Sequence, residues 1–397
     1  MDYQEALAWI HGKLRFGIKP GLERMAWMLQ ELGNPQEKVA AVHVVGTNGK
    51  GSVTSYLQHI FSLASYEVGT FTSPYILDFR ERISLNGQMI SQPDFLELVE
   101  RVRPVVERLP LETDLEPATE FEVITVLMFE YFGHIHPVDI AIIEAGMGGL
   151  YDSTNVFKAL AVVCPSIGLD HQAILGQTYA AIAEQKVGVL KEKVPFVFAT
   201  EREDVRKVFM EKVAACHGHT YECQKDFIIN VHDKAFDYRG LAAIDKIHLA
   251  MPGYHQMSNA SLAITTALLL QEQYPNVTNP IIKKGLETTH WVGRTELLFP
   301  NVMIDGAHNN ESVAALVKVM EAYKDKTIHI LFAAIDTKPV DSMLELLSQV
   351  ATVEVTTFEY PNALALERYP EQYRKVAHWQ DWLAQINLDS QEDFYLI

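Results

Sequence analysis

Short apolar runs and helix-spaced apolar residues alternate along the first half of the chain. Residues 41–45 form a run that contains three valines, and residues 53–64 repeat apolar side chains at the i, i+3, i+4, i+7 spacing of a buried helix face. Three further runs, at residues 138–143, 159–163 and 195–199, predict buried strands. Strands that alternate with helices in this way predict an α/β fold, with a parallel sheet covered by helices on both faces.

The pattern changes twice in the second half of the chain. Residues 227–251 break into short alternating segments with turn signals, which predicts a small β subdomain, and residues 256–271 predict a strongly apolar helix. Residues 290–299 predict a linker between domains. From residue 302 strands and helices alternate again, which predicts a smaller Rossmann-like α/β domain. Residues 393–397 predict a strand, so we expect this domain to lack its last helix.

Length and composition favour a two-domain protein of ordinary globular type. A chain of 397 residues is long for one hydrophobic core, and we predict domains at residues 1–292 and 293–397. The 33 basic and 51 acidic residues give a net charge of −18, which argues against nucleic acid or an anionic membrane as a partner, since both require basic surface. No apolar run approaches the ~20 residues of a membrane-spanning helix. Three cysteines fit a reducing compartment, so we expect a cytoplasmic location.

A glycine-rich loop joins the strand at residues 41–45 to the helix that follows it. Residues 46–52 read Gly-Thr-Asn-Gly-Lys-Gly-Ser. Glycines let backbone N–H groups approach phosphate oxygens, the helix N-terminus adds partial positive charge, and Lys50 adds a full charge. Ser52 can offer its hydroxyl to a phosphate-bound Mg²⁺. The loop predicts a nucleotide site, although its spacing departs from the standard P-loop pattern and an ordinary tight turn is the alternative.

Other polar residues also follow predicted strands. Glu144 and His171 each come after a strand, and because parallel strands end at one edge of a sheet, we expect both near Lys50. Glu144 is a candidate Mg²⁺ ligand, with a helix cap or surface residue as the alternative. His171 fits a metal ligand, a hydrogen-bonding residue or a structural residue. Asp305 follows the first strand of the second domain and is a candidate functional residue. The alternative is an ordinary turn, since aspartate followed by glycine is common there.

Eleven short motifs occur in an order that resembles one known family. They lie at residues 21–24, 32–36, 43–52, 72–74, 79–83, 119–122, 152–155, 167–171, 253–256, 293–294 and 305–309. In this set the chain resembles folylpolyglutamate synthases, the folate branch of the Mur ligase superfamily. The resemblance covers the chain from about residue 3 to its end.

The resemblance implies roles for particular residues. The loop residues Thr47, Asn48, Gly49, Lys50, Gly51 and Ser52 would bind the phosphates of ATP, and Asn259 and Arg294 would contact the nucleotide. Ser52, Ser73, Glu144 and His171 would surround Mg²⁺, and Lys186 would be carbamylated and hold a second cation, although a helical lysine taken alone predicts a solvated side chain. Asp305 and His308 would close over ATP and the incoming amino acid, and Arg82, Thr119 and Phe121 would contact the acceptor substrate. Lys50, Lys186, Asp305 and His308 are the implied catalytic residues.

The chain also departs from the family pattern. Tyr75 stands where a histidine commonly follows Ser-Pro, and Leu150-Tyr151 stands where many relatives have Arg-Leu. In the second domain, residues 336–338 read Asp-Thr-Lys where Asp-Lys-Asp is usual. These differences affect the expected acceptor-side and amino-acid-side contacts more than the ATP site.

The implied reaction is ATP-dependent amide formation. ATP would phosphorylate the γ-carboxylate of a folate or folate polyglutamate, and the amine of L-glutamate would then attack the acyl phosphate. One alternative is a bifunctional enzyme that also joins glutamate to dihydropteroate. A cell-wall Mur ligase is disfavoured because the motifs at residues 79–83 and 305–309 follow the folate branch. A nucleotide-binding switch is a further alternative, and it is disfavoured because it would give Glu144, His171 and Lys186 no role. We expect a monomer.

Overall fold

A computed structural model describes residues 1–14, 17, 19–360 and 362–397. The chain forms two compact units. The first comprises Met1–Leu249 and Ser258–Thr289, and the second comprises Ala250–Met257 and His290–Ile397. Within the described residues, no helix is both long enough and apolar enough to cross a membrane.

The first unit is built around an eight-stranded sheet in the order β4-β3-β2-β5-β1-β6-β7-β8. Its strands are β1 (Ala41–Val44), β2 (Val68–Phe71), β3 (Ile83–Leu85), β4 (Gln88–Met89), β5 (Ile140–Glu144), β6 (Ala161–Cys164), β7 (Phe196–Phe198) and β8 (Thr220–Glu222). The strands from β2 to β8 in this order are parallel, as predicted. The edge strands β3 and β4 are antiparallel, which corrects the expectation of a wholly parallel sheet. Asn86 and Gly87 join them with positive φ at both positions, as a tight hairpin requires.

The helices of the first unit cover this sheet. They are α1 (Tyr3–His11), α2 (Glu23–Glu31), α3 (Lys50–Leu63), α4 (Gln92–Glu112), α5 (Glu120–Glu130), α6 (Gln172–Leu175), α7 (Tyr179–Val187), α8 (Glu203–Ala215), α9 (Tyr254–Leu269) and α10 (Asn279–Thr288). The first turn of α9 falls in the second unit and the remainder in the first. A core of apolar side chains between the helices and the sheet is almost fully buried.

The predicted β subdomain is a three-stranded antiparallel sheet in the order β11-β10-β9. Its strands are β9 (Ile228–His232), β10 (Ala235–Arg239) and β11 (Ala243–Ile247). The hydroxyl of Tyr238 on β10 lies 2.9 Å from the hydroxyl of Thr265 on α9, so a buried hydrogen bond joins this sheet to the helix.

The second unit has a six-stranded sheet in the order β12-β13-β17-β14-β15-β16. Its elements are β12 (Glu296–Phe299), β13 (Val302–Ile304), α11 (Asn310–Met320), β14 (Thr327–Phe332), α12 (Val340–Leu347), β15 (Thr352–Val355), β16 (Arg374–Lys375), α13 (Trp379–Leu383) and β17 (Asp393–Leu396). All neighbours are parallel except β12, which confirms the predicted Rossmann-like architecture. The prediction of a linker at residues 290–299 is wrong for residues 296–299, because these residues form an edge strand that pairs with β13.

A buried ion pair fixes the start of α5 against α2. The Arg24 Nε atom donates to Glu122 Oε1 at 2.8 Å, and only 8% and 2% of the two side chains are exposed. Replacing Glu122 by leucine leaves the Arg24 charge buried without its counter-ion, and we expect the free energy of unfolding to fall by about 3–5 kcal/mol. Chemical denaturation measures the loss. The control is Glu116→Leu, which removes a carboxylate from a more exposed pair with Lys19 and should change stability by about 0.5 kcal/mol or less. Equal losses in the two variants would contradict the prediction.

Candidate active site

The glycine-rich loop lies between β1 and α3, as the sequence predicts. Gly49 directly precedes α3 with a φ of 87°, and a Cβ atom there would stand 2.5 Å from Asn259 Oδ1. Glycine is therefore required both for the backbone conformation and for the approach of Asn259. This contact brings Asn259, a predicted nucleotide residue, to the loop.

Hydrogen bonds to the segment after β6 hold the loop in place. The Thr47 N–H donates to Ser166 O and the Asn48 N–H donates to Ser166 Oγ, both at 2.9 Å. The Gly168 N–H donates to Thr47 Oγ1 at 2.9 Å. The backbone N–H groups of Thr47 and Asn48 are thus engaged within the protein, and their predicted contacts with phosphate stay a prediction.

Two lysines converge on one backbone carbonyl of this loop. Lys186 Nζ donates to Gly46 O at 2.8 Å, and Lys50 Nζ donates to the same oxygen at 3.1 Å. Lys50 Nζ also lies 3.7 Å from Glu144 Oε1. Burial of Lys186, together with the charge of Lys50, lowers the pKa of Lys186 to about 7. The site therefore concentrates cationic groups and one carboxylate in a protected position.

Close backbone packing explains why a helical lysine is buried here. Gly149 lies against the last turn of α7, where a Cβ atom would stand 2.4 Å from Lys186 O. The Leu150 N–H donates to Gln185 O at 2.7 Å. These contacts press α7 onto the segment that follows β5 and direct Lys186 toward the loop rather than toward solvent. Sequence spacing alone gives no sign of this.

The predicted Mg²⁺ ligands follow four neighbouring strands, β2, β5, β1 and β6. Glu144 ends β5 and is buried, Ser52 is buried in the first turn of α3, and Ser73 is partly buried just after β2. Buried carboxylate and hydroxyl oxygens at one sheet edge are donors that Mg²⁺ prefers, so these residues fit the ion. His171 differs: its side chain is 49% exposed, and its Nε2 lies 3.9 Å from Asp170 Oδ2. Within the described chain, no three His, Cys, Asp or Glu side chains form a metal-binding group.

A buried polar chain connects β1 to the segment after Glu144. His43 Nε2 lies 2.8 Å from Thr154 Oγ1, which donates to Asp152 Oδ1 at 2.5 Å. Asp152 Oδ2 accepts the Met147 N–H at 2.8 Å. Burial raises the pKa of Asp152, while its hydrogen bonds oppose the shift. Sequence reasoning did not assign roles to these residues, although the motif at residues 152–155 marked their position.

His43 gives the protein a defined acid sensitivity. Burial, aided by the charge of Lys191, lowers the pKa of His43 to about 3. Between its unfolded pKa near 6.5 and this value, only the unfolded chain binds the proton, so stability falls as the pH falls through this range. From pH 6.5 to pH 5 the loss from this residue should be about 2 kcal/mol. Urea unfolding at several pH values gives the slope of the free energy of unfolding against pH. We expect His43→Gln, which keeps an N–H donor, to remove the part of this slope that His43 contributes. An unchanged slope would show that other groups set it.

The predicted acceptor-side residues occupy three different settings. Thr119 caps α5: its hydroxyl accepts the Glu122 N–H at 3.3 Å, and Glu122 Oε2 accepts the Thr119 N–H at 2.8 Å. The Phe121 ring lies against Gly146, two residues beyond Glu144. The Arg82 guanidinium lies over the rings of Phe79 and Tyr75, 5.2 and 5.4 Å from their centroids.

A second group of predicted residues meets at the carboxyl end of β13 in the second unit. Asp305 accepts the Thr295 N–H at 2.7 Å and the Ala307 N–H at 2.8 Å. Burial raises the pKa of Asp305 and the charge of Arg294 opposes this. Arg294 Nη1 lies so close to Gly306 that a Cβ there would be 2.7 Å away. His308, exposed, places Nδ1 2.8 Å from Gly306 O.

One residue of this second group was missed. His255 is partly buried in the second unit, and this burial together with the Arg294 charge lowers its pKa to about 4. It is therefore neutral at physiological pH beside a predicted nucleotide residue. Its signal in the sequence is the motif at residues 253–256, which is one of the eleven motifs of the family resemblance.

A glycine-rich loop with a lysine at the carboxyl edge of a parallel sheet, followed in the chain by a Rossmann-like unit, is the arrangement that the motif resemblance predicts for a nucleotide-dependent ligase of the Mur type. No family model matches the chain. A dihydrofolate synthase/folylpolyglutamate synthase from Bacillus subtilis is 38% identical over 392 residues, which cover 96% of this chain and 91% of the relative. A folylpolyglutamate synthase from Lacticaseibacillus casei is 32% identical over 401 residues, with coverage of 97% and 92%.

The solved structures agree. One described as an FPGS–AMPPCP–folate complex has a TM-score of 0.88 and 31% identity, covering all of this chain and 96% of that chain. The chain belongs to the dihydrofolate synthase/folylpolyglutamate synthase family. The resemblance drawn from the motifs and the predicted fold class are both confirmed.

Proposed function

We propose that this protein uses ATP to join L-glutamate to the γ-carboxylate of a folate or folate polyglutamate. The convergence of Lys50, Lys186 and Glu144 at the loop after β1 carries the proposal, since a carboxylate and a γ-phosphate can meet only where their negative charges are offset. Lys50 would supply one positive charge, and Glu144 and a carbamylated Lys186 would hold the cations that supply the rest. The relatives support the choice of reaction: both carry folylpolyglutamate synthase in their names, and the solved complex contains an ATP analogue and folate.

The reaction has two steps. A γ-carboxylate oxygen attacks the γ-phosphorus of ATP, which forms an acyl phosphate and releases ADP. The glutamate amine then attacks the acyl carbon, and collapse of the tetrahedral intermediate releases phosphate and a proton. Lys50 offsets charge on the transferring phosphoryl group, and Arg294, Asp305 and His308 bind nucleotide and glutamate. Ser52, Ser73 and Glu144, with His171, would hold Mg²⁺, which would screen the phosphate charges when bound.

Lys186 has a separate proposed role as a carbamate. Because its pKa is about 7, a large fraction of its amine is unprotonated at neutral pH. The neutral amine can attack carbon dioxide, forming an N–C bond and releasing a proton. The product is an anionic oxygen donor, which suits a second Mg²⁺ ion better than an ammonium does.

A second candidate activity is the addition of glutamate to dihydropteroate. The name of the Bacillus subtilis relative, which is 38% identical, includes dihydrofolate synthase and favours it. Both activities use the same ATP chemistry and differ only in the acceptor carboxylate.

One assay tests both activities. The protein is incubated with Mg-ATP and L-glutamate, and is offered in turn a tetrahydrofolate, dihydropteroate and a UDP-muramoyl peptide. Phosphate release and amide product are measured together. Amide product with the tetrahydrofolate supports the proposal, and product with dihydropteroate as well supports bifunctionality. Phosphate release that needs no acceptor, with no amide formed, would overturn the ligase assignment. We also propose a monomer, since one chain carries every candidate residue, and light scattering on the purified protein tests this.

A further inference from the structure

The loop between β2 and β3 combines exposed apolar side chains with a tightly held backbone. Tyr75, Ile76 and Leu77 are consecutive and are 37%, 51% and 82% exposed. An exposed loop of this kind gains little from burial, so its shape must come from hydrogen bonds. The described contacts identify one side chain that supplies them.

That side chain is Glu81. Its Oε2 accepts the Ile76 N–H at 2.9 Å, its Oε1 accepts the Asp78 N–H at 2.9 Å, and the Leu77 N–H lies 3.1 and 3.3 Å from the two oxygens. One carboxylate thus binds three successive backbone N–H groups. Hydrogen bonds to an ionised acceptor are stronger than neutral ones, so removal of this carboxylate should release the loop.

The loop that Glu81 holds places the Tyr75 ring next to the Arg82 guanidinium. The Tyr75 ring centroid is 5.4 Å from Arg82 Cζ, and Phe79 adds a second ring at 5.2 Å. The two rings meet edge to face, 5.5 Å apart. Arg82 Nη2 also lies 4.0 Å from Glu120 Oε1, and the Arg82 side chain is only 11% exposed. A guanidinium stacked on two rings has few rotamers left, so it loses little entropy when it binds a ligand.

We propose that Glu81 is a positioning residue for the acceptor substrate. By holding residues 76–78, its carboxylate keeps the Tyr75 ring against Arg82, and Arg82 so oriented binds a carboxylate of the acceptor. Glu81 itself touches no substrate. This inference rests on the proposed function, in which Arg82 contacts the folate acceptor.

Steady-state kinetics of the full chain, with a tetrahydrofolate acceptor, test this role. Glu81→Ala should raise KM for the acceptor about fivefold to tenfold, with kcat and KM for ATP changed by about twofold or less. Tyr75→Ala should act in the same direction, whereas Tyr75→Phe keeps the ring and should behave as wild type. Glu81→Gln keeps one acceptor oxygen and should have a smaller effect than Glu81→Ala. Glu107→Ala, which removes an exposed carboxylate from α4, is the matched control and should change nothing.

A double-mutant cycle decides whether Glu81 acts through Tyr75. If it does, Glu81→Ala should add little to the effect of Tyr75→Ala, so the two losses are not additive. Additive losses, or an equal fall in kcat with no change in KM for the acceptor, would overturn the inference. If Glu81→Ala does not fold, as judged by thermal unfolding, Glu81→Gln replaces it in the cycle. A wild-type protein that forms no amide with any acceptor would instead reject the proposed function, so the two failures are distinguishable.

Discussion

Replacement of Lys50 by methionine should lower kcat for amide formation by about 10²–10³-fold. Lys50 is the cation at the start of α3 and lies 3.7 Å from Glu144 Oε1, next to the loop that is expected to receive the phosphates. Methionine preserves the length of the side chain but offers no charge to the transferring phosphoryl group. Coupled measurement of ADP and amide product tests this, and the KM for ATP should rise as well.

The control for Lys50 is a lysine of the same unit outside the site. Lys207 is exposed on α8, and Lys207→Met should leave both kcat and the KM for ATP unchanged. Lys207→Met should unfold at the wild-type temperature, since its side chain is exposed. Lys50→Met removes the cation 3.7 Å from the buried Glu144 carboxylate and should unfold at a lower temperature, so kcat is measured well below that transition. A Lys50→Met protein with a wild-type kcat would exclude Lys50 from the chemical step.

Replacement of Lys186 by glutamine should lower kcat by about 10²-fold or more, on the scale of losing one group that stabilises the transition state. If the lysine acts as a carbamate, wild-type activity should also fall in buffer depleted of carbon dioxide and return when bicarbonate is added. The Lys186→Gln protein should not respond to bicarbonate. Isotope-labelled bicarbonate should give a carbamate signal by carbon NMR in the wild type alone.

Lys191 is the matched control for this experiment. It is also a partly buried lysine whose pKa is lowered by burial, but its Nζ donates to Phe157 O instead of to the loop. Lys191→Met should keep the bicarbonate response. Full activity in the Lys186→Gln protein, or a bicarbonate response that persists in it, would refute the carbamate role.

The sequence predicted the elements that bury regular apolar faces. The strands β1, β5, β6 and β7 and the helix α3 follow from β-branched runs and helix spacing, because the same periodicity that makes a face apolar also directs it into the core. Short strands without a continuous apolar run were missed, including the buried strand β2, whose middle residues are Gly69 and Thr70. The strand β4 has only two residues, both exposed, and its pairing depends on the turn at Asn86 and Gly87.

The candidate site was predictable in part. The loop and Glu144 follow neighbouring strands of one sheet, and the rule that parallel strands end at one edge was sufficient to group them. Asp305 follows a strand in the separate sheet of the second unit, so that rule does not place it relative to them. Lys186 was not predictable from its surroundings in the sequence, because its burial depends on the approach of Gly149, which is distant in the chain. The chain from His43 through Thr154 to Asp152 was missed for the same reason: its members are adjacent only in space.

The division of α9 between the two compact units has a consequence for dissecting the protein. Because residues 250–257 belong to the second unit and residues 258–289 to the first, the chain crosses between units three times. A fragment cut at residue 289 would carry residues 250–257, including His255, away from Arg294 and the rest of their own unit. Neither half should fold alone as a complete module. Two halves that are expressed together would have to associate before either could fold completely, as the fragments of a split protein do. A break at this junction is therefore suited to a fragment-complementation assay.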